Sequence, residues 1–431
     1  YIYKKLAHTH PGTCAAKHFI HTHTHSHTRI YVALFRRMWT NTFKWCSKTD
    51  KETTTADAKI CAKVHGLKAL QQQIMDSTSV SGSVDNTMTP GGINQWHFHN
   101  SRASKVSTPT VLIHGYAASS MAFYRTFKNL SDNIKDLYAI DLPANGASEA
   151  PALQVEGVKK IKSLRFKHVE DDMVTPVLDK RPPAEEIKSH LEQYESYFVD
   201  RIEQWRKDNN LRKINVVGHS FGGYISFKYA LKYPNSIDKL CLISPLGVEN
   251  SIHAINHKWE ANTTYPVTFT DPSSRYYTRK LNVPQFIFEN QLNVLKWMGP
   301  IGSKLCSSYI STAYVKVPDQ LYKDYLLHSF VGKNQSVQPQ TIKVFTQLFE
   351  RNLIARDPII NNVGLLNPAT HVMFMYGEHD WMDKYAGYLT TESMLKNKAK
   401  ASYMEVPDAG HNLFLDNPNH FTSSLVSFLS K

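Results

Sequence analysis

The hexapeptide Gly218-His219-Ser220-Phe221-Gly222-Gly223 constrains this chain more than any other feature. It follows the apolar run at 213–217 and precedes a helical pattern at 224–232. A serine at such a junction sits on a sharp strand-to-helix turn. The residues two before and two after it, Gly218 and Gly222, must be small for the chain to pass so close to itself. The helix N-terminus then supports negative charge that develops beside the serine. A plain strand–helix turn leaves a polar serine flanked by three glycines unexplained.

The rest of the chain fits around that turn. From Thr108 onward, short apolar β-branched runs alternate with glycine- or proline-rich turns and amphipathic helices. The runs lie at 110–113, 137–140, 213–217, 239–243, 371–376 and 401–406. Such an alternation predicts the α/β class, with a mostly parallel sheet covered by helices on both faces. The stretch 184–207 predicts a long helix with Ile187, Leu191, Tyr194, Phe198, Ile202 and Trp205 on one face. Two segments break the rhythm. Residues 152–183 are charged and irregular, and residues 248–362 are long, aromatic and helical, as expected of a lid inserted between two strands. The chain therefore divides into a leader at 1–37, a polar lead-in at 38–107, a first core part at 108–247, the lid at 248–362 and a second core part at 363–431.

The net charge of +13 points first to nucleic acid or a membrane surface. Its distribution weakens that reading. Residues 1–37 hold six basic and no acidic residues, which leaves +7 for 38–431. No basic run is interleaved with stacking aromatics, so nucleic acid is not an expected partner. The first methionine is Met38, and His-Thr alternation at 21–28 is what an in-frame CA repeat would encode. We read 1–37 as a non-native leader in preference to a metal-binding tract or a transit peptide. Just after it, Trp39 and Phe43 lie one helical turn apart, as in a short membrane-surface anchor. No apolar run reaches the ~18 residues of a spanning helix. The five scattered cysteines imply a reducing compartment without disulfides, and no metal site is assigned.

A serine nucleophile needs a base, and the base needs an orienting acid. Two loops past strand ends supply them, Gly377-Glu378-His379-Asp380 and Pro407-Asp408-Ala409-Gly410-His411. A parallel sheet gathers its site at these ends. The assignment is Ser220 as nucleophile, His411 as base and Asp380 as orienting acid, with His379 and Asp383 as the nearest rivals. Phe221 and Tyr116, in His114-Gly115-Tyr116, supply the backbone N–H pair of an oxyanion hole. His114 holds that loop, and Asp141-Leu142-Pro143 shapes it from behind.

Together these motifs resemble the α/β-hydrolase superfamily over 108–431. The helix segment 198–206, the segment 228–234 and Ser244-Pro245-Leu246-Gly247 are similar to its ABHD4/ABHD5 lipid-acting subfamily. Ala144-Asn145 departs from the glycine often found early in its turn. The resemblance implies an α/β-hydrolase fold and acyl-CoA-dependent acylation of lysophosphatidic acid to phosphatidic acid. It also implies the subfamily's His-x4-Asp acyltransferase signature, here His411 and Asp416. Asp416-Asn417-Pro418 also reads as an ordinary helix start. The alternatives are a phospholipase or cardiolipin deacylase using the same triad, and a non-catalytic lipase co-activator. Ser220 weighs against the last. No cofactor is expected; acyl-CoA is a co-substrate. The expected partners are lysophospholipid, acyl-CoA and an anionic membrane or lipid-droplet surface. Arg275, Arg279 and Lys280 are candidate phosphate contacts, though better read as a solvated face. The expected location is cytoplasmic and peripheral to membrane, with mitochondria second.

Overall fold

The computed structural model describes residues 67–156, 160–169, 172–178, 182–332 and 337–431. The leader, the Trp39–Phe43 pair and the histidine tract lie outside these residues. Strand β3 (Thr110–Ile113) and strand β4 (Asp136–Ile140) are buried apolar runs, as are β7 (Ile214–His219), β8 (Ile237–Ile243) and β10 (His371–Gly377). With β11 (Ala401–Val406) they pair in parallel, in the order β4-β3-β7-β8-β10-β11.

The sheet starts earlier in the chain than the apolar pattern does. Helix α1 (Leu67–Asp76) and strands β1 (Ser83–Met88) and β2 (Asn94–His99) fall in the polar lead-in. β2 pairs antiparallel with β4, and β1 with β2, which completes eight strands. β2 reads Asn-Gln-Trp-His-Phe-His and hides its role. Trp96 and Phe98 bury on one face, while Gln95 on the other meets the indole N–H of Trp205 and the side chain of Asn209.

Helix α3 (Ala184–Asp208) buries the six expected apolar residues, with Glu185 and Glu186 in its first turn and Arg206 and Lys207 in its last. That charge order suits the helix dipole. α3 lies against α4 (Phe221–Lys232), where Phe198 and Phe221 meet edge to face at 5.4 Å. Lys228 of α4 sits buried between Glu195 of α3, at 3.1 Å, and Asp357 of the lid. A buried charge is tolerated here because it is paired on two sides.

Residues 152–183 and the lid join through a small antiparallel sheet of β5 (Arg165–His168), β6 (Met173–Val177) and β9 (Tyr265–Pro266). The lid then runs through helices α5 (Gln285–Asn290), α6 (Leu292–Trp297), α7 (Pro300–Ala313), α8 (Gln320–Val331) and α9 (Pro339–Leu348). Trp259, Tyr265 and Tyr276 pack on one another, so these lid aromatics form a local core. No helix among the described residues is long and apolar enough to cross a membrane.

Candidate active site

Ser220 occupies the predicted turn between β7 and α4. Its backbone has φ 54° and ψ −116°, a conformation that costs a non-glycine residue roughly 1–3 kcal/mol. Main-chain bonds hold it there: Ser220 N–H donates to Ile243 O at 2.9 Å, and Leu246 N–H donates to Ser220 O at 3.1 Å. The flanking glycines are sterically required. A Cβ on Gly218 would lie 2.3 Å from Ser226 Oγ, and one on Gly222 would lie 2.2 Å from the His114 carbonyl oxygen.

The His114–Gly115 loop presses on the nucleophile, because a Cβ on Gly115 would lie 3.1 Å from that of Ser220. His114 is buried and structural: its Nδ1–H donates to Gly115 O at 2.8 Å and its Nε2 accepts from Leu142 N–H at 2.9 Å. Burial keeps it neutral by lowering its pKa. Behind it Asp141 accepts four bonds, from Ser120 N–H (2.7 Å), Ala147 N–H (2.8 Å), Asn94 (3.0 Å) and Gln71 (3.1 Å). Among the described residues, neither Tyr116 N–H nor Phe221 N–H has a main-chain acceptor. The Tyr116 phenol is buried without a partner, against Phe345 at 4.5 Å.

Asp380 and His411 come together from the ends of β10 and β11. His379 N–H donates to Ala409 O at 2.8 Å, and Gly377 approaches Gly410 so closely that a Cβ would lie 2.2 Å from its oxygen. These contacts brace the two loops and set His411 Nδ1 at 3.1 Å from Asp380 Oδ1. Asp380 is 0% exposed and His411 17%. Burial alone would raise the Asp380 carboxyl. The charge and hydrogen bond of His411, the nearby Ser244 hydroxyl and the Met382 N–H at 3.0 Å outweigh it, so the carboxyl is held below its usual value. An ionised Asp380 accepting from Nδ1–H leaves His411 Nε2 as the basic nitrogen.

The elbow and the histidine loop touch through His219, a residue not among the assigned site residues. Its Nε2–H donates to the His411 carbonyl at 3.0 Å, and the two rings lie 4.7 Å apart. Burial, then His411, push its pKa well down, so it stays a neutral donor. Trp381 packs on the other ring contact of His411, at 5.1 Å. A histidine before the elbow serine was the visible signal for His219. Ser244 had none beyond its strand-end position.

The rivals have other work. His379 is an exposed side chain 3.9 Å from Glu378. Asp383 caps α10 (Lys384–Lys396) by accepting from Ala386 N–H at 3.0 Å, and it accepts from Tyr277 Oη–H at 3.1 Å. Asp416 ends the short helix α11 (Leu413–Asp416) and turns back to accept from Gly410 N–H at 2.8 Å, directly before His411. The helix-start role belongs to Asn417, which caps α12 (Pro418–Leu429). Arg279 is not on a solvated face: it is largely covered and ion-paired with the buried Glu249. Lys280 lies over the Phe269 ring at 4.9 Å, and Arg275 is exposed.

The structure brings Ser220, Asp380 and His411 to the same end of the parallel strands, with Asp380 hydrogen-bonded to His411 and Ser220 at the turn after β7. Comparison with known proteins agrees with the fold. The chain is 91% identical over 394 residues to 1-acylglycerol-3-phosphate O-acyltransferase ICT1 of Saccharomyces cerevisiae, covering 91% of this chain and 100% of that protein. It is 46% identical over 368 residues to Protein ECM18 of the same organism, covering 84% and 80%. A bromoperoxidase from Bacillus anthracis superposes with a TM-score of 0.51 at 13% identity, covering 80% and 100%, which speaks to fold alone. The model of the alpha/beta hydrolase fold family matches residues 108–418. With its elbow, paired strand-end loops and mostly parallel sheet, the chain belongs to the alpha/beta hydrolase fold family.

Proposed function

We propose that this chain transfers an acyl group from acyl-CoA to lysophosphatidic acid, giving phosphatidic acid, with Ser220 as nucleophile. The observation that carries this reading is the 91% identity to a 1-acylglycerol-3-phosphate O-acyltransferase across that protein's full length. The geometry supports the route. His411 Nε2 takes the Ser220 proton as Oγ attacks the thioester carbonyl, and the oxyanion forms against the Phe221 and Tyr116 N–H groups. Collapse expels the CoA thiolate, which leaves with the proton from His411. The same nitrogen then takes the proton of the lysophosphatidic acid hydroxyl as it attacks the acyl-serine, and returns it to Ser220.

The substrates are amphiphiles, and the lid offers a surface to match. Phe286, Trp297 and Val315 are 59%, 63% and 72% exposed. Lys296, Lys304 and Lys316 are exposed among them. Apolar anchors with basic neighbours suit peripheral contact with an anionic membrane or lipid droplet from the cytoplasmic side.

The test uses purified chain with labelled oleoyl-CoA and lysophosphatidic acid. Labelled phosphatidic acid is the expected product. Labelled free fatty acid without phosphatidic acid would overturn the transferase reading in favour of a hydrolase.

A further inference from the structure

We propose that His97, His99 and Asp136 form a zinc-type divalent metal site at the end of the sheet opposite Ser220. His97 and His99 are two apart on β2, so both side chains stand on one face. Asp136 is paired directly with His99 on β4, and Tyr138 with His97. Each imidazole aims one nitrogen at the same carboxylate oxygen: His97 Nε2 lies 3.1 Å and His99 Nδ1 2.8 Å from Asp136 Oδ1. All three donor atoms lie within 4.8 Å of one another.

The donors suit such an ion in number, type and spacing. Zinc binds histidine nitrogen and carboxylate oxygen at about 2.0–2.2 Å, so ligand atoms around a tetrahedral ion stand about 3.3 Å apart. The two nitrogens stand 3.1 and 2.8 Å from the carboxylate oxygen, a few tenths of an ångström short of that spacing. Two imidazoles with one carboxylate favour a first-row transition ion over calcium or magnesium, which prefer oxygen. The frame is pre-arranged, since two hydrogen-bonded strands carry the ligands and the His97 ring stacks on Tyr138 at 4.2 Å and 3°.

Charge and access also fit. Asp136 supplies one negative charge. Asp85 on β1, paired opposite His97, supplies a second exposed carboxylate on the same face. A divalent ion balances the two. Beside the site lies a groove of about 660 Å³ lined by His99 with Ser81, Gly82, Asn100, Arg102 and Asp132.

The site is not part of the acyl chemistry. Asp136 begins β4, whereas Asp141, which orders the oxyanion loop, follows its far end. Five residues of strand separate the ends by about 13 Å. The ion would clamp the antiparallel strand β2 to the parallel sheet.

The experiment titrates Zn²⁺ into the full chain after chelator treatment, by calorimetry, and records Tm with and without Zn²⁺. Wild type is compared with His97→Gln, His99→Gln and Asp136→Asn. The histidine tract at 21–28 is common to all four proteins, so any zinc it takes up cancels. The expected result is one fewer zinc equivalent in each variant than in wild type, together with loss of a zinc-induced rise in Tm. A variant that fails to fold is recognised by its metal-free Tm, and the remaining two then decide. Equal zinc stoichiometry in wild type and the folded variants would overturn the proposal. So would a zinc-induced Tm rise that survives in Asp136→Asn.

Discussion

Asp416 separates two accounts of the His-x4-Asp pattern. In the structure its Oδ2 accepts the Gly410 N–H at 2.8 Å, one residue before His411. On that geometry it is a positioning residue that fixes the loop carrying the base. Asp416→Ala leaves the part-buried Gly410 N–H without its acceptor, a loss of about 1–3 kcal/mol. If all of that falls on the placement of His411, turnover drops roughly 5- to 150-fold, at 1.36 kcal/mol per decade. Asp416→Asn keeps an acceptor oxygen in the same place and should retain most of the activity. Stability gives an independent check. Burial raises the Asp416 pKa, with Gly410, Lys316, Arg125 and His411 opposing it less strongly. A raised carboxyl favours the folded state below its unfolded pKa and loses that advantage as pH rises through the folded value. The ionised form is thus a net cost near neutrality, and Asp416→Asn should raise Tm at pH 7. The assay follows phosphatidic acid and free fatty acid together from labelled oleoyl-CoA. Positioning lowers both products in the same proportion. Asp416→Asn as impaired as Asp416→Ala, or a change in the ratio of the two products, would instead make Asp416 a determinant of the acyl acceptor.

Asp380→Asn should cut kcat about 10⁴-fold through the wrong His411 tautomer; a loss under tenfold would remove Asp380 from the triad. Because the Asp380 carboxyl is held below its ordinary 3.8, its contribution to stability is present above that pH and fades as pH falls below it. The Tm gap between wild type and Asp380→Asn should therefore narrow only under strongly acidic conditions. Lys228→Met strands Glu195 and Asp357 without their shared cation and should cost about 3–5 kcal/mol in denaturant unfolding; a neutral outcome would mean that the buried charges relax into water. Phe286→Ala with Trp297→Ala should weaken sedimentation with anionic vesicles while leaving cleavage of a soluble thioester unchanged; unaltered vesicle binding would place the membrane contact elsewhere.

The loops of the candidate site were legible because their placement is local. Ser220, Asp380 and His411 each stand just past an apolar strand, and the glycines around the serine report the crowding that the structure bears out at Gly218 and Gly222. Strand β2 was not legible, because Gln95 and Asn94 are satisfied by Trp205, Asn209 and Asp141, partners far along the chain. Asp141 was legible as part of a loop-shaping turn, but its four donors, from four separate segments, were not. His219 and Ser244 gain their roles only when β8 and β11 bring their loops beside the elbow. The lid aromatics could not be sorted by composition: Tyr325 is buried and bonded to Ser119 at 2.6 Å, whereas Trp297 is mostly exposed. His97, His99 and Asp136 likewise converge only through the register of β2 on β4.

In the proposed reaction Ser220 carries the acyl group between donor and acceptor. The most direct test mixes the chain with labelled oleoyl-CoA in the absence of lysophosphatidic acid, maps labelled peptides by mass spectrometry, and then adds the acceptor. An oleoyl group on Ser220 that passes to phosphatidic acid on addition, and that is absent from Ser220→Ala along with the product, is the predicted result. Phosphatidic acid formed by Ser220→Ala at the wild-type rate would contradict it.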